Sequence, residues 1–554
     1  MSVPNTKPSF PQDPLLVKLI RAAQAVPEHR IIIHDMYGLQ KTYPELLGDI
    51  LRTRSQLQAV LPATCFNENG LLSDASLYQT ACTKTGYEFA VAFFAVRALG
   101  GAFVPLDAAA ALERQADTLT KANSTCILTD QGSIAEVETV ADHVLQTSRR
   151  SLSVVPISFN QAGVSPDDIS IAEGTELNPD GPGFVVFTSG TTGYSKGVVL
   201  RRYCFAAAPI EQGDGAVVNY NASHWLGGTK NIIDGLLTCK TVFALNTPAS
   251  SADVLDTFKN HHITHFVFNP ALLRGMKQLL LGESEQQLTE ERRYEISKHF
   301  SGITFFLSIG GLVDRDTVDF WTEVLGCPFQ NRYGTTELGG LPTLGISNKK
   351  GSVGKIAPGV EVKLSEGTHG RLFIKSPDRF LCYLGDEEKT KAAFDDDGFY
   401  RTGDIAELVD DELIFHGRER DDYVIRGGCT ISTVEVERAL MALGYFEEAT
   451  VVAVPVSESV QLCGAVVRPK QSHTAEMSIG RVRQDLWGKL DEGKWPVAMR
   501  ILGLGEELPM TATGKPVKRQ VIEDFFYDGD CGRDWFTPET PPPSVQCQGI
   551  IATA

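Results

Sequence analysis

Between Phe184 and Gly197 the chain reads Phe-Val-Val-Phe-Thr-Ser-Gly-Thr-Thr-Gly-Tyr-Ser-Lys-Gly. An apolar run enters a stretch holding Thr188, Ser189, Gly190, Thr191, Thr192, Gly193 and Lys196. Glycines let successive backbone N–H groups turn inward, hydroxyls add donors and a lysine adds charge, so the stretch can form a nest for phosphate oxygens. Competing chemistries share this pattern. A Walker A loop has the Gly190-to-Lys196 span, but Ser195 stands where glycine is needed and Gly197 where a Mg2+-binding hydroxyl belongs. A nucleophile elbow matches Gly193-Tyr-Ser-Lys-Gly197 as G-x-S-x-G, yet Ser189 to Thr192 separate that serine from the strand end it must occupy. A flexible triphosphate clamp suits the density of hydroxyls, and the bland alternative is a Ser/Thr-rich surface loop.

Thr188-Ser-Gly-Thr-Thr-Gly-Tyr-Ser-Lys-Gly197 resembles the signature phosphate loop of the adenylate-forming superfamily, which comprises acyl-CoA ligases, luciferases and peptide-synthetase adenylation domains. The family usually has Pro where this chain has Ser195. The resemblance runs from about Thr42 to Phe526 and includes Ala95 to Asp107. Ser308-Ile-Gly-Gly-Leu312 is similar to the adenine-side strand end, where Gly310 and Gly311 would let a flat base approach the backbone. Asn331-Arg-Tyr-Gly-Thr-Thr-Glu337 is similar to the second core motif. There Tyr333 and Gly334 would face the purine, Thr336 would offer a hydroxyl to phosphate, and Glu337 would hold Mg2+, a hard cation that prefers oxygen. The bland alternative for this motif is a Tyr-Gly turn with a solvated Glu. Tyr400-Arg-Thr-Gly-Asp404 and Gly417-Arg418 resemble the ribose-contacting Asp and Arg, and Leu508-Pro-Met-Thr-Ala-Thr-Gly-Lys515 resembles the last core motif. Lys515 would then stabilise the charge built up when a carboxylate attacks the α-phosphate. The family hinge falls on Arg420, where most members have Asp or Lys.

The resemblance implies carboxylate plus ATP giving acyl-AMP and pyrophosphate, then attack of a thiol on the acyl carbon. Val424-Ile-Arg-Gly-Gly-Cys-Thr-Ile431 is closer to the Gly-Gly turn of CoA ligases than to the peptide-synthetase version, which puts Gly427 and Gly428 on the CoA side and makes CoA the expected acceptor. Thr433 stands where the ligases commonly have Pro. A carrier protein supplied in trans, or an inactive ATP-binding homologue, is the alternative. The acyl pocket is expected near Ser223-His-Trp-Leu-Gly-Gly228 and Leu338-Gly-Gly-Leu341. His224 resembles the residue that gates the site, Trp225 would form an aromatic wall, and Gly339 and Gly340 beside Leu341 remove bulk. These segments offer no obvious Arg or Lys to pair a second carboxylate, Lys230 being the nearest, so a bulky apolar or aromatic monocarboxylic acid is the expected substrate.

The balance of the chain agrees with a small-molecule enzyme. Its 554 residues exceed one domain, and 51 Lys+Arg against 69 Asp+Glu leave a formal charge of −18. That acidity disfavours nucleic acid and anionic lipid as partners. The 11 cysteines are dispersed, without a CxxC pair, as in a reducing, cytoplasmic setting. The longest apolar run, Phe89 to Val104, is interrupted by Arg97 and Gly100-Gly101 and is too short for a membrane span.

These residues need elements to hold them. Thr42-Tyr-Pro-Glu45 reads as a capping box opening a helix that carries Leu46, Leu47, Ile50, Leu51 and Leu57 at helical spacing. Gly86 to Leu99 reads as a buried helix, and short apolar strands follow at 102–106, 126–130, 184–188, 241–245, 265–268 and 303–309. Strands alternating with helices predict an α/β fold with parallel-type sheets. From Gly354 to Phe415 short, glycine-punctuated strands predict an antiparallel or β-barrel-like part closing the large domain. The expected organisation is an adenylation domain over 1–417, a smaller mobile α/β domain over 418–527, and a loosely ordered tail over 528–554.

Overall fold

The computed structural model describes residues 7–74, 77–159, 163–188, 196–211, 213–247, 249–282, 288–346, 349, 351–419, 422–426, 429–457, 460–470, 477–503, 505–511 and 515–527. The chain divides into two compact units. The first is Met1–Gly311, Asp319–Pro342 and Ser376–Asp395; the second is Leu312–Val318, Thr343–Lys375 and Asp396–Ala554.

The first unit is built on two seven-stranded sheets. In one, Pro182–Thr188, Ala102–Pro105, Tyr78–Cys82, Cys126–Thr129 and Ser153–Pro156 run parallel in that order. Lys196–Arg201 and then Cys382–Tyr383 are added antiparallel at the 182–188 edge. In the other, the order is Gln330–Asn331, Phe305–Ser308, His265–Phe268, Ala216–Asn219, Thr241–Ala244 and Ile31–Asp35, all parallel, closed by antiparallel Gln40–Thr42. The chain leaves Ala216–Asn219 first to one neighbour and later to the other. Such a reversal opens a crevice at the carboxyl ends of the strands, where ligands of α/β sheets bind.

The expected start signals form. Glu45 N–H donates to Thr42 Oγ1 at 3.4 Å and Thr42 N–H donates to Glu45 Oε2 at 2.9 Å, opening the helix Tyr43–Val60. The helix Tyr87–Arg97 is buried on every side, as an apolar sequence without a polar face must be.

Arg97 is not merely an interruption of that run. It is fully buried, with Nη2 2.7 Å from Asp13 Oδ2, and Arg202 Nη1 reaches the same oxygen at 3.1 Å. Asp13 also caps the helix Pro14–Gln24 through Leu15 N–H at 2.9 Å. One carboxylate cannot balance two guanidiniums, so their remaining N–H groups donate to the carbonyls of Gly100, Gly101, Pro182, Gly183 and Arg202. A Cβ on Gly183 would lie 2.5 Å from Arg202 Cα, so only glycine fits there. The cluster anchors the entry of the 182–188 strand. Asp13→Ala leaves two buried cations facing each other, and the expected loss is about 3–5 kcal/mol, read as a lower urea midpoint at unchanged m-value.

The second unit contains a six-stranded antiparallel sheet in the order Thr343–Leu344, Ser352–Ile356, Glu412–Arg418, Tyr400–Val409, His369–Lys375 and Glu361–Leu364. Beyond it the helix Thr433–Met441 and the sheet of Phe446–Ser457, Val460–Pro469 and Ala498–Ile501 share a core that includes Val436, Leu440, Val451 and Cys463.

Candidate active site

The 188–197 segment is bounded by two antiparallel strands, Pro182–Thr188 and Lys196–Arg201. Thr188 pairs with Lys196 and Gly197 with Phe187, so the chain returns as a strand where Walker A and elbow arrangements require a helix. Ser189, Gly190, Thr191, Thr192 and Gly193 lie outside the described residues. Lys196 is described, and its Nζ sits 4.9 Å above the ring of Tyr383.

Tyr383 belongs to a segment that stitches this hairpin to the 331–337 motif. Leu381 N–H donates to Val199 O at 2.8 Å and Leu384 N–H to Gly197 O at 2.7 Å. Phe380 N–H donates to the backbone oxygen of Glu337 at 2.7 Å, and the Tyr383 hydroxyl donates to Glu337 Oε1 at 3.0 Å. Lys196 and Glu337 are thus brought together through one aromatic side chain. Nothing in Cys382-Tyr-Leu-Gly385 marked Tyr383 in the sequence.

At the carboxyl ends of the second sheet the 305–308 strand runs into Gly310, whose φ of +86° favours glycine. A Cβ on Gly311 would sit 3.3 Å from Pro270. Ser308 and Asn331 are cross-strand partners, and Tyr333, Gly334 and Thr336 follow directly, with Tyr333 buried. Ser308 Oγ, Asn331 Oδ1, Thr335 Oγ1 and, on the 216–219 strand, Asn219 Oδ1 are buried without a hydrogen-bond partner among the described residues. Buried polar atoms are nearly always satisfied, so this line of orphans calls for a polar ligand or water.

The residues expected on the acyl side have particular neighbours. His224 Nε2 is 3.8 Å from Asp107 Oδ2, and its ring meets Trp225 edge-on at 5.1 Å. Burial lowers the His224 pKa below the ordinary histidine value, against the opposing pull of Asp107. Gly339 has a φ of +64°, and a Cβ there would lie 2.2 Å from the Asp378 carbonyl oxygen. One on Gly340 would lie 3.0 Å from Asp378 Oδ2, so the bulk these glycines remove is on the side Asp378 fills. Leu341 packs on Gly334, 2.8 Å from where a Cβ would stand. Lys230 is ion-paired with Asp234 at 2.7 Å and lies 5.1 Å over Phe205.

In the second unit Asp404 and Arg418 face each other across two strands, with Arg418 Nε 3.1 Å from Asp404 Oδ1. The Asp404 side chain is 2% exposed and that of Arg418 46%, so a buried carboxylate is reached by a cation open to solvent. Asp422 Oδ2 accepts Arg418 N–H at 2.8 Å, while its Oδ1 takes Lys518 Nζ at 2.6 Å. Lys518 also reaches Thr433 Oγ1 at 2.8 Å and Glu437 at 3.5 Å. Burial alone would lower the Lys518 pKa, but Glu437 and Asp422 outweigh it and the pKa is raised. Lys515 is held by Lys515 N–H to Thr511 Oγ1 at 3.0 Å and by Thr511 N–H to Lys515 O at 2.6 Å. Although the residue is exposed, burial of its ammonium and then the charge of Arg418 lower its pKa, with Asp404 and Asp422 opposing. Asp422 and Lys518 escaped the sequence reading. Arg420, Gly427 and Gly428 lie outside the described residues.

The family model described as AMP-binding enzyme matches residues 81–384, more than half of the 554-residue chain. The chain belongs to the AMP-binding enzymes. The matched span of this AMP-binding enzyme holds the 188–197 loop and the 308–312 and 331–337 segments, and it ends one residue past Tyr383. The chain is 29% identical to the acyl-CoA ligase oryP of Aspergillus oryzae over 93% of each chain. It is 23% identical to the mitochondrial malonate–CoA ligase ACSF3 of Homo sapiens over 90% of each. Among solved structures it resembles ATP-bound MatB from Rhodopseudomonas palustris, with a TM-score of 0.71, 23% identity and coverage of 92% of this chain and 98% of that one. At that identity the likeness speaks for the fold. Among the described residues no helix is long and apolar enough to cross a membrane, and no group of three or more His, Cys, Asp or Glu could hold a metal ion.

Proposed function

We propose that this AMP-binding enzyme is an AMP-forming carboxylate–CoA ligase. A carboxylate oxygen attacks the α-phosphorus of ATP, the bond to the bridging oxygen of the β-phosphate breaks, and acyl-AMP and pyrophosphate form. The sulfur of CoA then attacks the acyl carbon, AMP leaves with the bonding electron pair, and the thiol proton passes to solvent. The observation that carries this reading is the Lys196–Tyr383–Glu337 arrangement beside the hydroxyl-rich 188–197 segment. It pairs a cation for phosphate with a fixed carboxylate for a metal.

The donor set suits Mg2+. That ion takes oxygen ligands and commonly binds through one or two carboxylates plus substrate phosphates rather than in a protein cage. Glu337 offers one carboxylate, with Thr336 beside it, and among the described residues no group of three or more His, Cys, Asp or Glu could hold a metal ion by itself. Mg2+ bound there would neutralise phosphate charge. In this reading residues 188–193 and Lys196 hold the phosphates, and Gly310, Gly311, Tyr333 and Gly334 receive the adenine. Asp404 and Arg418 take the ribose hydroxyls, and Lys515 stabilises the charge at the α-phosphate. Residues 418–527 act as the mobile part, turning at Arg420, with Gly427 and Gly428 on the CoA side.

CoA as acceptor is supported by the relatives, which are named CoA ligases. A bulky apolar or aromatic monocarboxylic acid is supported by Lys230, whose charge is already matched by Asp234 and is not left over for a second carboxylate. Pyrophosphate release measured over a panel of aliphatic, aromatic and dicarboxylic acids, malonate included, tests both points. The expected result is release with one class of monocarboxylate and thioester only when CoA is added. Release without thioester would favour a carrier-protein thiol, and release with no acid would sink the ligase reading.

A further inference from the structure

We propose that Tyr383 is a positioning residue for the nucleotide and its metal, orienting the Glu337 carboxylate through its hydroxyl and the Lys196 ammonium through its ring. The proposal rests on the reading of Glu337 and Lys196 as metal and phosphate groups. Its evidence is geometric. The hydroxyl donates to Glu337 Oε1 at 3.0 Å, and Lys196 Nζ lies 4.9 Å from the ring centroid. The phenol is fixed independently of both groups. Tyr383 is buried, packs its ring against the tilted ring of Phe380 at 4.8 Å between centroids, donates its N–H to Thr390 Oγ1 at 2.9 Å, and pairs with Val198 in the sheet.

A rotatable carboxylate that must meet a metal loses orientational freedom at that moment. A hydrogen bond from a fixed phenol removes that freedom beforehand and leaves the lone pairs of Oε2 for the ion. The same ring keeps the lysine close, with no anion paired to it among the described residues. Had a carboxylate held Lys196 instead, it would have competed with phosphate for the ammonium, whereas the weaker attraction of a π face does not. The neighbouring backbone bond from Phe380 N–H to Glu337 O, at 2.7 Å, holds the main chain of Glu337 in register with the phenol.

The test uses the full chain and equilibrium binding as well as turnover, with Mn2+ as the spectroscopic stand-in for Mg2+. Tyr383→Phe keeps the ring and its packing but removes the donor. Its expected effect is a ten- to hundredfold weaker uptake of Mn2+ in the presence of ATP, on the order of a hydrogen bond to a charged group, with ATP binding in chelator unchanged. Tyr383→Leu should weaken metal-free ATP binding as well, by roughly a few-fold, because Lys196 loses its platform. In a Glu337→Gln background, Tyr383→Phe should add nothing, since the carboxylate it orients is gone. Wild-type Mn2+ affinity in Tyr383→Phe, or an equal further loss in the Glu337→Gln background, would overturn the proposal and leave Tyr383 a packing residue. Wild-type protein that binds Mn2+ with ATP yet releases no pyrophosphate with any acid would overturn the ligase reading instead.

Discussion

Lys515→Ala should abolish acyl-adenylate formation while sparing transfer of a preformed acyl group. The ammonium is assigned to the charge that develops on the α-phosphate oxygens, which is present only in the first half-reaction. Its removal is expected to cost roughly a hundred- to a thousandfold in single-turnover acyl-AMP formation. Chemically supplied acyl-AMP plus CoA should still give thioester at close to the wild-type rate. The pH profile adds a sign. The protonated form is the active one, so adenylation holds below the Lys515 pKa and is lost as pH rises through it. Burial and Arg418 place that loss below the ordinary lysine value of 10.5. Equal loss of both half-reactions would mean that Lys515 has a structural task, and the assignment would fall.

Glu337→Gln is expected to lower adenylation by about a hundredfold or more, the cost of one electrostatic contact in a site from which water is excluded. The fold should survive, because the substitution keeps the size of the side chain and the backbone bond from Phe380 does not depend on it. Raising Mg2+ should recover part of the rate if the lost charge was a metal ligand. Unchanged pyrophosphate release at low Mg2+ would remove Glu337 from the site.

Local signals in the sequence were legible wherever they act within one element. The Thr42–Glu45 capping box and the apolar strand at 265–268 stand where their patterns place them. The change to short, glycine-punctuated strands after Gly354 marks the six-stranded antiparallel sheet. The direction of the 196–201 strand was not legible, since Gly-Val-Val-Leu reads the same whichever way its neighbour runs. Tyr383 was invisible because its partners stand 46 residues away at Glu337 and much farther back at Lys196. Asp422 lay in a charged run, where the ordinary reading is a solvated face, and only folding shows that it ties Arg418 to Lys518. Arg97 looked like a blemish in a hydrophobic stretch for the same reason, because its counter-charge lies 84 residues earlier.

The Asp13 cluster sets a clock on biosynthesis. Asp13 leaves the ribosome early, but Arg202, 189 residues downstream, must follow before its second guanidinium partner exists. At about 5–20 residues per second that wait is roughly 10–40 seconds. Once residue 97 has been made, and until residue 202 follows, the nascent chain carries the apolar helix Tyr87–Arg97, whose terminal arginine lacks the carbonyls of Gly183 and Arg202 that later accept from it. A chaperone that shields helix 87–97 during this interval should raise the yield of native protein, and slowing translation before codon 202 should lower it.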